Sequence, residues 1–462
     1  MERLRAQDLM MVWPEEMGWS QDIGALMILD AGGLLDADGH VSIATAREHV
    51  GRRLHLVPRF RQLLHRPSFG LGWPLWVDAP EIALDQHVRV FPLDAPTDDD
   101  QVLSAVEELR RRRLNQSRPL WEMWFLPGLA DRRVGLYMKL HHAVADGMAG
   151  IAALGAFLDP VPDPPETTPP PWVPAPAPTA RELFEDNVRR GLRGFDRLLD
   201  KLAYPVESLR AARRGWPAVK EAFFEERAPR TSLNSRVGWH RRLAVIRGDL
   251  DLAKRIAHTH GAKVNDVVLT AVAGGLRRLF RSRGEGIDGL RLRAFVPVSL
   301  HREGEAAGNL DGGMVVPLPI GESRDVERLR TIAAETAARK EKARPPGGTL
   351  FRNIPIQRAA LRLAPYQRLM NTYVANLPGP PVPLYFAGAR VLEVFPVVPI
   401  LGNVTIGVGA LSYAGQFNVT VVADRERCPD LERFIEGVRG SLEVLEESAS
   451  REPEIAVQGK EG

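Results

Sequence analysis

The sequence predicts a mixed α/β protein, of the α+β type, divided by a proline-rich linker. Three observations carry this reading. The chain has 462 residues, about three times the ~150 that one domain usually occupies. Half of the 20 residues from Asp159 to Pro178 are proline, and such a stretch buries little, lacks sheet donors and runs extended. On both sides of it, segments of helical period alternate with segments of strand period. The divisions expected are a first lobe over 1–165, the linker over 166–180, a second lobe over 181–450 and a disordered tail over 451–462.

Hydrophobic residues make up 44% of the chain and charged residues 26%, which places it among soluble globular proteins. With 61 basic and 58 acidic residues the net charge is +3, too small an excess to favour nucleic acid. The single cysteine, Cys428, excludes an intramolecular disulfide framework and a cysteine zinc site; it fits a reducing compartment and is expected to be inert. The opening MERLRAQDLMM lacks the apolar stretch and cleavage site of a secretory signal, which points to the cytoplasm. Val394 to Ala423 carries no charge over 30 positions, long enough to span a bilayer. Its prolines and glycines, with many β-branched residues, read instead as loops and strands. A soluble or peripheral protein is expected.

In chain order, Ala44 to Leu64 and Asp98 to Leu114 read as helices. The second opens on three aspartates and closes on Arg110 to Arg113, charges that complement the helix dipole at each end. In the segment Val134 to His142, Val134, Leu136, Met138 and Leu140 alternate as one apolar strand face. The small-residue stretch MAGIAALGAFL follows as a helix. After the linker, Phe184, Val188, Leu192, Phe195, Leu199 and Leu202 recur at steps of four and three, with Arg189, Arg190, Arg193 and Arg197 between them. This amphipathic helix is expected to pack across the join of the lobes, with contact to a lipid surface as the alternative. Further helices are read from Val267 to Leu279 and from Val326 to Lys342. The clearest strands are Leu292 to Val298, Val391 to Val398, Val404 to Leu411 and Phe417 to Ala423.

The chemistry concentrates in HHAVADG, His141 to Gly147. Strand alternation puts His142 on the dry face with Leu140, and Lys139 and His141 on the other. A neutral imidazole at the end of such a strand has a pKa suited to taking a proton from a hydroxyl, which makes His142 the candidate base. Asp146, before Gly147 in a tight turn, can orient the loop, pair with a buried arginine or cap the helix. A metal is not expected: adjacent strand histidines point to opposite faces, and no further ligand stands at suitable spacing. A core histidine satisfied by backbone is the plain alternative.

HHxxxDG after an apolar strand is the signature of the CoA-dependent acyltransferase superfamily, which includes chloramphenicol acetyltransferase-like enzymes and peptide-synthetase condensation domains. PLWEMWFLPGL (Pro119 to Leu129), VNDVVL (Val264 to Leu269) and ANLPGPPVPLYFAGARV (Ala375 to Val391) resemble the PLW, ND and SNVPGP blocks of the bacterial wax ester synthase/diacylglycerol acyltransferase family. The likeness extends through VPVSLHRE with Gly308 and Asn309, through SYAG and VVAD, and through AQDLMMVW near the start, so it covers nearly the whole chain. It implies two chloramphenicol acetyltransferase-like lobes of mixed sheet with helices and an active-site cleft between them, acyl-CoA as donor substrate and no bound cofactor. It also implies diacylglycerol or a long-chain alcohol as acceptor, and a peripheral place on the cytoplasmic membrane or lipid droplets. Oligomeric state is not legible.

Pro119, Leu120 and Trp121 are expected to support the site by packing. Asn265 stands where an N-cap residue would sit, while the resemblance places Asn265 and Asp266 near the acyl-transfer centre. The chain departs from the pattern at Ala375, where the block usually has serine, and at Leu377, where it has valine. If that serine serves the oxyanion in relatives, Asn376, a backbone amide or water must serve here, and losing one such donor costs about 100-fold in rate. Gly407 and Gly409 strip one strand face of side chains, either for a ligand or for tight packing. The mechanism implied is direct transfer with His142 as base, Asp146 structural and no acyl-enzyme, in keeping with the lack of a GxSxG elbow beside the histidines. Rival readings are transfer to a polyketide alcohol or carrier-bound amine, a non-catalytic lipid-binding role, and a metal hydrolase.

Overall fold

The structure of the chain, a computed structural model, describes residues 2–36, 39–145, 147–165, 168–203, 227–299, 311–340 and 354–458. In the first half the strands are β1 (Glu2–Arg3), β2 (Asp22–Asp30), β3 (Gln62–His65), β4 (Leu75–Asp78), β5 (Val88–Val90), β6 (Trp121–Leu129) and β7 (Arg133–His141). The second half adds β8 (Arg241–Ile246), β9 (Arg291–Ser299), β10 (Asp311–Pro319), β11 (Thr372–Pro378), β12 (Tyr385–Phe386), β13 (Ala389–Val397), β14 (Ile406–Tyr413) and β15 (Gln416–Asp424). The helices are α1 (Ala6–Glu16), α2 (Ile43–Arg53), α3 (Leu84–His87), α4 (Asp99–Arg111), α5 (Gly147–Gly155), α6 (Ala180–Ala203), α7 (Leu250–Thr259), α8 (Val264–Ser282), α9 (Asp325–Lys340), α10 (Ile354–Leu363) and α11 (Leu431–Gln458).

Two six-stranded mixed sheets make the two lobes, in the orders β12-β13-β2-β7-β6-β5 and β10-β9-β11-β14-β15-β8, beside a small sheet β1-β4-β3. Strand alternation explains the layers of the first lobe. Leu136, Met138 and Leu140 of β7 pack with Ala46 and Val50 of α2 and Ala153 and Leu154 of α5. On the opposite face Tyr137 joins Val102, Val106 and Leu109 of α4 and, from the second sheet's side, Val398, Ile400 and Val422. That second cluster is the apolar join of the lobes. In the second lobe α8 lies against α11 at glycines. A Cβ at Gly275 would stand 2.8 Å from the Phe434 carbonyl oxygen, and one at Gly274 2.7 Å from Ser441 Cβ, so only glycine permits this approach.

The lobes are not contiguous in sequence, which corrects the expected boundaries. β13 pairs antiparallel with β2, with Val394 opposite Met27 and Phe395 opposite Leu26. The segment that the linker would have left in the second lobe therefore extends the first sheet. Strand partnership is non-local, and an apolar run such as VLEVFPV carries no mark of which sheet it joins. Beyond Val397 the chain passes over the second sheet, with Val398 against Gly409 and Ile400 against Gly407 of β14.

Other expectations shift too. The helix expected over 44–64 ends at Arg53 and gives way to 3-10 turns and β3, because Pro58 cannot continue it. The tail expected from 451 begins as helix, since α11 runs to Gln458. Residues 168–179 carry neither helix nor strand and run along the first lobe, where Arg61 lies 5.1 Å over the Trp172 ring and the Ala175 N–H donates to Asp78 at 3.0 Å. The amphipathic helix forms as α6; of its stripe Phe184, Val188 and Leu192 are exposed, with Leu183 beside them buried, while the side chains of Phe195, Leu199 and Leu202 lie outside the described residues. Among the described residues no helix is long and apolar enough to cross a membrane; the charge-free stretch is the end of β13, a loop, β14 and β15.

Candidate active site

The two histidines sit at a change of structure. β7 ends at His141, and His142 opens a turn closed by the Val144 N–H donating to the His141 carbonyl at 2.8 Å. The backbone N–H of His142 donates to the Gln21 carbonyl at 2.9 Å, so the pairing with the β2 edge reaches one residue past the strand. His142 is half-buried.

His141 points the other way and is 1% exposed. Its Nδ1 accepts the Ala143 N–H at 3.0 Å, which assigns the ring proton to Nε2, and Nε2 lies 3.2 Å from Glu15 Oε1 at the end of α1. Glu15 Oε2 in turn accepts Gln116 Nε2 at 3.0 Å. Burial pushes the Glu15 carboxyl up, but the bond to His141, with Gln116 and Arg113, outweighs it and holds the group below the usual carboxylate range. The sequence reading had noted AQDLMMVW yet passed over Glu15, Gln21 and Gln116. The available signal was an acid beside Pro14 on the apolar face of an amphipathic helix, since a buried carboxylate needs a partner.

A second buried pair lies under the same strand. Lys139 Nζ stands 3.1 Å from Asp22 Oδ2, donates to the Leu109 carbonyl at 3.1 Å and also reaches the Arg112 carbonyl; Asp22 further accepts the Ser20 hydroxyl at 2.6 Å. These bonds tie β2, β7 and the end of α4 together directly behind the turn.

The PLW block supports the turn. Leu120 is buried and its carbonyl accepts the His141 N–H at 3.0 Å. Trp121 donates its indole N–H to the Phe60 carbonyl at 2.9 Å and stacks on His87 at 4.3 Å; the Pro119 carbonyl accepts the Trp121 N–H at 2.9 Å. The NLPGP block also arrives here. Leu377 of β11 packs with Leu411 and Tyr413 of β14 in the same cluster as Leu140 and Ala145, and Asn376 lies just before it, half-buried. Ala375 faces away and is buried in the interlobe cluster with Tyr137 and Val398. A methyl suits that apolar position, where a hydroxyl would need a partner.

The ND block is occupied with structure. α8 begins at Val264, so Asn265 lies inside its first turn instead of capping it. Asp266 closes the helix start: Oδ2 accepts the Lys263 N–H at 2.9 Å and Oδ1 the Thr336 hydroxyl at 2.7 Å. Tight packing accounts for the bare strand face, because a Cβ on Gly407 would come within 2.8 Å of Ile400 Cγ2 and one on Gly409 within 2.9 Å of Val398 Cγ1. Asp146 lies outside the described residues, as do His301, Gly308 and Asn309; Gly147 opens α5.

Cys428 is buried and burial pushes its thiol up to about 11, so it carries no thiolate at neutral pH. Dithionitrobenzoate at pH 8 should therefore find no reactive thiol in the native protein and the full single equivalent in denaturing guanidinium; rapid native reaction would place Cys428 at the surface.

Comparison with known proteins bears on this geometry. Residues 4–268 match the family model of the wax ester synthase/diacylglycerol acyltransferase catalytic domain, and residues 307–446 that of the WS/DGAT C-terminal domain. A probable diacylglycerol O-acyltransferase of Mycobacterium tuberculosis strain CDC 1551 is 30% identical over 91% of this chain and 95% of its own length. Among solved structures, the wax ester synthase/diacylglycerol acyltransferase of Marinobacter aquaeolei VT8 superposes with a TM-score of 0.70 at 24% identity, over 97% of this chain and all of that one. The starter condensation domain of rhizomide synthetase, solved in complex with C8-CoA and Leu-SNAC, has the same fold at a TM-score of 0.57 and 14% identity, over 97% of this chain and 94% of that one.

Proposed function

This chain belongs to the wax ester synthase/diacylglycerol acyltransferase family and is an O-acyltransferase, and from that premise we propose that it moves a fatty acyl group from acyl-CoA to diacylglycerol or a long-chain alcohol with His142 as general base. The observation that carries the reading is the turn itself. It presents a half-buried imidazole on a backbone braced by Gln21, Leu120 and the buried His141 and Glu15 pair. The binding of C8-CoA by a domain of the same fold supports acyl-CoA as donor, and the name of the mycobacterial relative supports diacylglycerol as acceptor.

In this mechanism His142 takes the proton of the acceptor hydroxyl as its oxygen attacks the thioester carbonyl. The oxyanion of the tetrahedral intermediate is held by hydrogen-bond donors, for which Asn376 is the candidate. Collapse breaks the carbon–sulfur bond, and the imidazolium returns its proton to the CoA thiolate. Ester and free CoA leave, and no covalent enzyme intermediate forms. Asp146 is assigned to holding the turn.

The test is CoA thiol release from palmitoyl-CoA by the full chain with dioleoylglycerol, with hexadecanol, or with no acceptor. Release that requires an acceptor supports the proposal, and the better acceptor distinguishes triacylglycerol from wax ester synthesis. Equal release without acceptor would mean thioester hydrolysis, and silence with both acceptors would turn the search to polyketide alcohols, carrier-bound amines or a binding role.

A further inference from the structure

The join of the lobes covers only part of the second sheet's inner face. Leu243 of β8, Val422 of β15 and Ala375 of β11 are buried in it, and Tyr373 packs at its rim. Beyond β11 the sheet continues through β9 to its edge strand β10. Alternation sorts the side chains there. Leu292, Ala294 and Val296 of β9 and Val316 and Leu318 of β10 lie in the core under α8 and α11, so Phe295, Pro297 and Val315 stand on the inner face. All three are half-buried. The register sets Phe295 between Tyr373 and Val315, and the Phe295 and Tyr373 rings are nearly parallel, 17° apart with centroids at 6.0 Å. Gly313 makes room for this arrangement, because a Cβ there would collide with the tip of the Phe295 ring.

We propose that Phe295, Tyr373 and Gly313 shape a seat for the long alkyl chain of one substrate, and so set the chain lengths that the protein accepts. The inference rests on the acyl transfer proposed above. Its support is where β11 leads. Tyr373, Ala375 and Leu377 alternate on one face of that strand, and Leu377 reaches the cluster that holds Leu140 and Ala145, on either side of the histidines. At about 3.3 Å per residue the four steps from Tyr373 to Leu377 cover roughly 13 Å, within the reach of a hexadecyl chain whose head reacts at His142. The chemistry of the lining agrees. Phe295, Pro297 and Val315 offer carbon and no hydrogen-bonding side chain, which suits a hydrocarbon tail and leaves the polar head to be read at the turn. The ring pair is also continuous with the apolar join, so a chain lying on it extends a surface that the protein has already dried. The acyl tail of the donor and the alkyl tail of the acceptor share this chemistry, and the two arms of the test separate them.

The experiment reads CoA release by the full chain in two arms: palmitoyl-CoA with octanol or hexadecanol, and octanol with octanoyl-CoA or palmitoyl-CoA. In one arm the kcat/KM preference for the long substrate over the short should fall about tenfold in Phe295→Ala, roughly the worth of two methylene contacts. Phe295→Leu should keep most of it. Gly313→Ala should lower it too, because its methyl displaces the ring, and should add nothing in the Phe295→Ala background, where there is no ring to displace. Both substrates are read on one preparation, so a loss of folded protein scales both rates alike and leaves the preference. A fall in the alcohol arm makes the chain the acceptor's, and a fall in the acyl arm makes it the donor's. An unchanged preference in both arms overturns the proposal. If wild type releases no CoA in either arm, calorimetric titration with dodecanol and with dodecanoyl-CoA decides. Binding that Phe295→Ala weakens about tenfold keeps the seat and sinks the acyltransfer reading alone; binding equal in the two proteins, or none, overturns the seat.

Discussion

Replacing His142 with alanine should lower acceptor-dependent CoA release by about 100- to 10,000-fold, the contribution of a positioned general base, while leaving the melting temperature nearly unchanged. The structure separates these two effects. The bond that His142 makes to Gln21 uses its backbone N–H, which alanine retains, and a half-buried ring at a turn leaves no sealed cavity when removed. His141 is the contrasting case. Its side chain accepts the Ala143 N–H and faces the Glu15 carboxylate inside the protein, so His141→Ala leaves a buried charge without its partner, a loss of about 3 to 5 kcal/mol in stability. Its activity loss should therefore come with a lowered melting temperature. Stopped activity with an intact fold in His142→Ala, set beside joint loss of both in His141→Ala, assigns chemistry to one and architecture to the other. If His142→Ala retained wild-type release, the base would have to be sought elsewhere.

How far this site was legible depends on how local its determinants are. α4 could be read directly, because Asp98 accepts the Gln101 N–H at its start and Arg110 and Arg111 close its last turn, all within one short segment. The β14 and β15 strands were equally plain in their apolar content. The position of β13 was not, since its partner β2 lies at the other end of the chain and pairing leaves no local trace. For α6 the period showed that a stripe exists but could not show what covers it, and Phe184, Val188 and Leu192 stand exposed. The same limit applied at the site. HHAVADG named the candidate base, yet the carboxylate that faces His141 comes from α1, a helix whose sequence offered only an acid on an apolar side. The resemblance placed Asn265 and Asp266 near the chemistry, and the local geometry instead gives Asp266 to the start of α8.

Glu15 is the residue whose substitution tests whether the buried pair acts through His142. Glu15→Ala removes the acceptor facing His141 Nε2 and the one bonded by the exposed Gln116, leaving the buried His141 donor unpaired at about 1 to 3 kcal/mol. It also frees the ring whose Nδ1 holds the Ala143 N–H, so the turn that carries His142 loses its brace. A misplacement near 1 Å is enough to cost about 100-fold in kcat, with KM for palmitoyl-CoA little changed because the buried carboxylate acts through the His141 ring. Glu15→Gln keeps an acceptor for His141 and should restore most of the rate, which a purely electrostatic role would not allow. The pH dependence of stability gives an independent reading. Because the folded carboxyl lies below its ordinary value, ionised Glu15 favours the folded state above the unfolded pKa of about 4.3, and that contribution is lost as pH falls through the lower folded value. The melting-temperature gap between wild type and Glu15→Gln should thus hold steady from neutral pH down to about 4.5 and close below it. A gap that widened on acidification would mean that the carboxylate is not held ionised by His141, and the account of how α1 positions the histidine turn would fail with it.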